Sequence, residues 1–208
     1  MTETRANKWR WRVAGLVLGF AAVLGIYVKA RPADEVVLTI GEPYTQVRQQ
    51  SRSTLPVLTR DNRIGLYIRR PAVLRFSDPH YGFVTPAAKF LSLYADESGK
   101  VVAVTLSPQV EPLPLDEAMA VFIGLQDQFQ RGGRKPFRVN RSSPIEDTRD
   151  TRAQIRHCAA PTSYWQGGNN YQISLNIRCF RSDDSPNDER YLITLDLGAP
   201  VFGEVPDD

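Results

Sequence analysis

Chemically reactive side chains are scarce in this sequence. Its only histidines are His80 and His157, and its only cysteines are Cys158 and Cys179. A histidine-based triad would have to use one of these two imidazoles. His80 stands in Ser77-Asp78-Pro79-His80-Tyr81-Gly82, and an Asp near a His can orient a general base. In a turn that contains proline, such a pair is expected to hydrogen-bond locally at the surface instead. His157 abuts Cys158, a residue expected to be disulfide-bonded and so not nucleophilic. A metal set drawn from Cys158, Cys179, His157 and His80 lacks the spacing of zinc-site ligand pairs. No G-x-S-x-G elbow, H-E-x-x-H helix or phosphate-binding glycine loop occurs. Gly132-Gly133-Arg134-Lys135 has the composition of a phosphate cradle, but it follows a predicted helix. Carbonyl oxygens there repel anions, so it reads as a C-cap. These residues lead us to expect a non-enzymatic protein with no catalytic, cofactor-binding or metal-ligating group.

Binding chemistry has more to work with. In an oxidising compartment an even pair of cysteines favours a Cys158–Cys179 disulfide, although two buried free thiols stay open as an alternative. Closing a loop of about 20 residues would stabilise by roughly 3 kcal/mol in the chain-entropy treatment. Inside that loop, Pro161 to Asn170 (PTSYWQGGNN) sets Tyr164 and Trp165 between flexible residues. Aromatics on a tethered loop suit partner contact; burial in the core is the other reading. Ser182 to Arg190 carries Asp183, Asp184, Asp188 and Glu189, an acidic tip able to enter a basic cleft or simply to solubilise a turn. Arg69-Arg70 and Arg48/Arg52 are expected to form solvated faces.

The elements that must position these residues follow from periodicity. Val36 to Ile40 is β-branched and reads as a first strand. Pro43 suits the first turn of a helix through Gln50, with Tyr44 and Val47 on one face. Ser51 to Arg63 is read as a loop, and Ile64 to Ile68 and Val73 to Phe76 as short strands. Phe90 to Tyr94 and Val101 to Leu106 alternate around Asp96-Glu97-Ser98-Gly99, the clearest hairpin. The clearest helix follows Pro114: Leu115, Ala118, Met119, Phe122, Leu125 and Phe129 repeat at helical spacing. Asp116 and Glu117 suit its positive end, and Gly132-Gly133 stops it. Pro136 to Val139 reads as a weaker strand and Asp147 to Ile155 as a weaker helix. Tyr171 to Phe180 and Tyr191 to Leu197 read as strong strands joined by the acidic turn. The pattern predicts an α+β fold with mostly antiparallel sheets and two principal helices. Two lobes, at about 36–110 and 111–200, are conceivable because a helix followed by strands occurs twice.

Ahead of this domain lies a different composition. Val13 to Val28 is an uncharged apolar run of 16 residues, about 24 Å long as a helix. That is just short of the usual spanning minimum of roughly 17 residues. Trp9, Trp11 and Tyr27 can extend it as interfacial anchors, and flanking Lys and Arg can snorkel. We expect a basic cytoplasmic tail (1–12), a single-pass inner-membrane anchor (13–28) and a periplasmic domain (33–208). A cleaved signal peptide is the competing reading, opposed by Lys29 and Tyr27 near the candidate cleavage site. Residues 1–31 hold six Lys/Arg and one acid, and residues 32–208 hold 20 Lys/Arg and 22 Asp/Glu. The net charge of +3 therefore belongs to the anchor, and nucleic-acid binding is discounted.

Several stretches taken together carry a likeness. They are Gly41-Glu42-Pro43-Tyr44-Thr45-Gln46-Val47-Arg48, Phe76-Ser77-Asp78-Pro79 with Gly82-Phe83, and the hairpin Phe90 to Ser107. Ser107-Pro108-Gln109 and Pro112-Leu113-Pro114-Leu115-Asp116-Glu117-Ala118 complete the set. Over about residues 36–135 the chain resembles membrane-anchored periplasmic immunity proteins encoded beside type VI secretion effectors, particularly lipase or phospholipase toxins. Its opening motif also looks like small outer-membrane-assembly lipoprotein domains, whose lipid-bearing cysteine this chain lacks. The immunity resemblance implies a protein that binds one cognate secreted toxin enzyme in the periplasm and neutralises it. The alternative is a bitopic scaffold or assembly subunit of a bacterial envelope machine.

Overall fold

A computed structural model of the chain describes residues 34–59, 63–136, 144–182 and 185–200, with the side chains of 182 and 185–187 left out. The apolar run with Trp9, Trp11, Val13 and Val28, and the acids Asp183 and Asp184, lie outside the described residues. Among the described residues, no helix is long and apolar enough to cross a membrane.

The elements in chain order are β1 (Asp34–Leu38), α1 (Tyr44–Gln50), β2 (Ile64–Tyr67), β3 (Ala72–Phe76), β4 (Phe83–Ala88), β5 (Phe90–Ala95) and β6 (Val101–Ser107). They continue with α2 (Leu115–Arg131), β7 (Lys135–Pro136), α3 (Arg149–Arg156), β8 (Thr162–Gly167), β9 (Tyr171–Ser182) and β10 (Ser185–Gly198). The fold is α+β, as the periodicity predicts. Two sheets form, one of order β1-β3-β4 and one of order β2-β5-β6-β10-β9-β8-β7. All pairings are antiparallel except β1 with β3. The larger sheet draws strands from both sides of residue 110, so the conceivable lobe boundary falls between its hydrogen-bonded neighbours β6 and β10.

Alternation decides which face of the larger sheet is core. Leu91, Leu93, Val104, Leu106, Leu175, Ile177, Ile193 and Leu195 are buried on one side. Helix α2 packs there, contributing every one of the six apolar residues read at helical spacing. Burying a side chain of this size contributes roughly 1.5–3 kcal/mol. Helix α3 adds one buried residue, Ile155, and is capped by Thr148, whose side chain accepts from the Thr151 N–H at 3.1 Å. Its approach segment is fixed by Gln126, which hydrogen-bonds both the N–H and the carbonyl of Ile145 at 3.0 and 2.7 Å.

The structure departs from the sequence reading in three places. Strand β4 goes unread in the sequence because Pro86 interrupts it. Pro86 is tolerated because β4 is the edge of the smaller sheet. The adjacent register shift is bridged by Thr85 Oγ1, which accepts from the Leu74 N–H at 3.1 Å. Second, Pro161 to Asn170 is no flexible loop: residues 162–167 are β8, paired along its length with β9. Third, Ser182 to Arg190 is not simply a turn. Strands β9 and β10 extend into it, with a register shift between Ser185 and Arg190. A run of polar residues gives no two-residue hydrophobic period, so only the backbone ladder reveals the strand.

Candidate functional site

The face of the larger sheet opposite α2 carries the candidate site. Cross-strand register sets Tyr164 beside Ser174, Ser174 beside Asp196, Asp196 beside Thr105, and Thr105 beside Ser92. The exposed Asp196 carboxylate is held by two hydroxyl donors, Thr105 Oγ1 at 2.6 Å and Ser174 Oγ at 3.2 Å. A shallow cleft of about 440 Å³ runs across this row, between Tyr94 and Val102 on one side and Tyr164 on the other. Its floor is low because Ala103 and Gly198 are paired neighbours. A Cβ on Gly198 would already stand 3.4 Å from that of Ala103. Further donors line the face: Asn176 Nδ2 reaches Thr162 Oγ1 at 2.9 Å.

Toward the sheet's β2 edge the face turns apolar. Ile64 (79% exposed), Tyr67 (52%), Phe90 (42%) and Val102 (37%) all present side chains to solvent. Ile64 pairs with Tyr94 and Tyr67 with Ser92, so β2 and β5 bring them together, and the Tyr67 and Phe90 rings lie 5.6 Å apart. Clustered exposure sets this patch apart from single exposed apolar residues, which need no explanation. Sequence reasoning missed this patch. Periodicity reads its residues only as strand formers, because the faces of Ile64 and Tyr67 depend on a bulge at Gly65, whose φ is +79°, and Val102 sits at a second register shift, between β5 and β6.

The residues singled out for partner contact separate. Trp165 is buried to 1% and its ring packs on Phe129 at 5.8 Å, so it belongs to the core. Tyr164, its neighbour on the strand, points the other way and lines the outer cleft. Asp188 and Glu189 are exposed on β10; Asp188 pairs with Arg190 at 2.9 Å and Glu189 accepts from the Tyr191 hydroxyl at 3.4 Å. Both acids line a second cleft of about 340 Å³ with Arg156, Arg181, Arg190 and the Cys158–Cys179 disulfide. The disulfide expectation is met.

Among the described residues, neither histidine ring hydrogen-bonds a carboxylate. Asp78 Oδ1 accepts from the backbone N–H groups of His80 (2.9 Å) and Tyr81 (2.7 Å), so the carboxylate serves the turn. Burial alone would raise this carboxyl's pKa. Those two N–H groups and the Tyr171 hydroxyl outweigh it and hold the pKa below the usual range. His157 Nδ1 sits 2.7 Å from the Ala153 carbonyl of its own helix. Among the described residues, no three His, Cys, Asp or Glu side chains gather as a metal set.

Arg134, from the glycine-rich motif, is 2% exposed. Its guanidinium lies 4.8 Å from the Phe83 ring centroid, 5.3 Å from Phe129 and 5.7 Å from both Phe76 and Tyr81. It donates to the Tyr81 carbonyl, while its Nε and Nη1 have no hydrogen-bond partner. Burial pulls its pKa down to about 10, with Asp78 acting in the opposite direction. Enclosed by four rings, it ties the smaller sheet to the end of α2.

Comparison of the chain with protein-family models, curated proteins and solved structures finds no match.

Proposed function

We propose that this chain is a non-enzymatic immunity protein. It is held at the inner membrane by residues 13–28, and it binds and neutralises a secreted toxin in the periplasm, with the lipase and phospholipase class as the target. The observation that carries the binding role is the outer face of the larger sheet. There Ile64, Tyr67, Phe90 and Val102 are exposed together beside the Asp196 cleft. A partner covering this patch removes apolar area at roughly 25 cal/mol per Å², and Asp196 supplies a fixed charge for orientation. Anchoring raises the local concentration of inhibitor where a lipid-cleaving enzyme works.

The test is a deletion strain exposed to toxin-delivering sibling cells. Loss of viability that the full chain restores, and that an Ile64→Lys/Val102→Lys chain with normal expression does not, supports both the function and its face. A deletion strain as resistant as its parent overturns the reading. Full protection by the double variant removes the outer face from it.

A further inference from the structure

The corner that holds the disulfide has features that fastening a helix does not require. Cys158 is exposed and Cys179 half-buried, so solvent reaches the bond from the Cys158 side. The bond forms part of the wall of the cleft of about 340 Å³. The rest of the wall is dense in charge: the guanidinium groups of Arg156, Arg181 and Arg190, and the carboxylates of Asp188 and Glu189. Arg190 is already engaged by Asp188. Arg181 Nη2 lies 3.8 Å from Cys158 Sγ. Two further details concern the dithiol state. Cys158 has φ +60°, a left-handed conformation that strains a residue with a Cβ. Cys179 Sγ lies 3.2 Å from the Ile155 carbonyl, an acceptor that a disulfide sulfur cannot use and a thiol can.

The geometry points to a thiol–disulfide exchange site that takes small anionic thiols, with a peptide thiol of the glutathione class as the fitting substrate. Such a molecule carries two carboxylates and one ammonium. The cleft meets them with the guanidinium groups of Arg156 and Arg181 and the carboxylate of Glu189. The incoming thiolate forms an S–S bond to the exposed Cys158 Sγ, and the Cys158–Cys179 bond breaks. Its electron pair leaves on Cys179, which takes up a proton and, as a thiol, hydrogen-bonds to the Ile155 carbonyl. A second thiolate then attacks the mixed disulfide at the thiol's own sulfur. This releases Cys158 and a disulfide of two substrate molecules, so two thiols lose the two electrons that the protein gains. The Arg181 charge stabilises the Cys158 thiolate as it departs. Helix α3 is then held by Ile155 and by Arg152, which bridges to Asp116 and Asp147.

The experiment uses the full oxidised chain in detergent micelles. It is reacted with glutathione (anionic), 2-mercaptoethanol (neutral) or cysteamine (cationic) at matched thiolate concentration, quenched with acid and read by mass spectrometry. Glutathione is expected to react roughly tenfold or more faster than cysteamine, with the first glutathionyl group mapped to Cys158. Arg156→Gln/Arg181→Gln should shrink that preference to about twofold or less, as should raising salt to about 1 M. The double variant should keep an unchanged circular dichroism spectrum. Equal rates for the three thiols, reaction only after urea is added, or a preference that survives the double variant overturns the proposal. A first adduct on Cys179 overturns the assigned direction of attack.

Discussion

Helices α2 and α3 end in the same backbone motif and are fastened by opposite means. At the end of α2, the Arg134 N–H bonds to the Phe129 carbonyl and the Gly133 N–H to the Gln130 carbonyl, with Gly133 at φ +75°. At the end of α3, the Ala159 N–H bonds to the Gln154 carbonyl and the Cys158 N–H to the Ile155 carbonyl, with Cys158 at φ +60°. Both are Schellman closures, whose left-handed position favours glycine because it has no Cβ to clash. The long helix uses glycine there and then buries an arginine among four rings. The short helix uses a cysteine, accepts the strain and gains a covalent tie. The difference follows from what each helix can bury. Helix α2 packs six apolar side chains of its stripe, whereas α3 packs only Ile155. A helix with so little apolar surface does not hold its place by packing alone, so its end carries the disulfide.

The comparison is most open to breakage at Arg134. Arg134→Ala leaves a cavity among four rings and an unpaired Tyr81 carbonyl, and should lower unfolding free energy by about 3–5 kcal/mol in urea titrations. Arg134→Met keeps the packing and drops a buried charge with two unsatisfied nitrogens, so it should cost far less, under about 2 kcal/mol. If the two variants lose equally, the charge rather than the packed volume is the fastener.

Removing the covalent tie should matter next. Cys158→Ala/Cys179→Ala should lose about 3 kcal/mol, with faster hydrogen exchange confined to α3 and the start of β8. Cys158→Gly/Cys179→Ala should recover about 1 kcal/mol of that loss, because glycine relieves the left-handed position. No recovery would mean that Cys158 is unstrained where it sits.

The smallest effect belongs to the Asp78 turn beneath Arg134. The folded-state pKa of Asp78 is lowered. Its stabilisation is therefore fully present above the unfolded carboxyl range near pH 4 and fades as pH falls through the lower folded value. The stability gap between the native chain and Asp78→Asn should be flat at neutral pH and close in acid. A gap that widens on acidification would mean that folding raises the Asp78 pKa instead of lowering it.

Legibility in the sequence tracked how locally each feature is set. Helix α2, the β5–β6 hairpin and the strong parts of β9 and β10 were readable, because their side chains repeat with the period of the element. Strand β4 was hidden by Pro86, and β8 by glycines and a polar composition resembling a loop. The apolar outer patch was unreadable, since which face Ile64 and Tyr67 occupy depends on one bulge and on strand neighbours far along the chain.

The sequence by itself determined an α+β chain with mostly antiparallel strands, an even pair of cysteines able to close a disulfide, and net positive charge concentrated around an N-terminal apolar run. These follow from composition and short-range periodicity. Only the tertiary structure decided that Trp165 is core while Tyr164 lines a cleft, that Arg134 is a buried pin, and that Ile64, Tyr67, Phe90 and Val102 share a face. Strand order and register set those outcomes through contacts between residues distant in sequence. A one-residue shift in register moves every side chain of a strand to the opposite face.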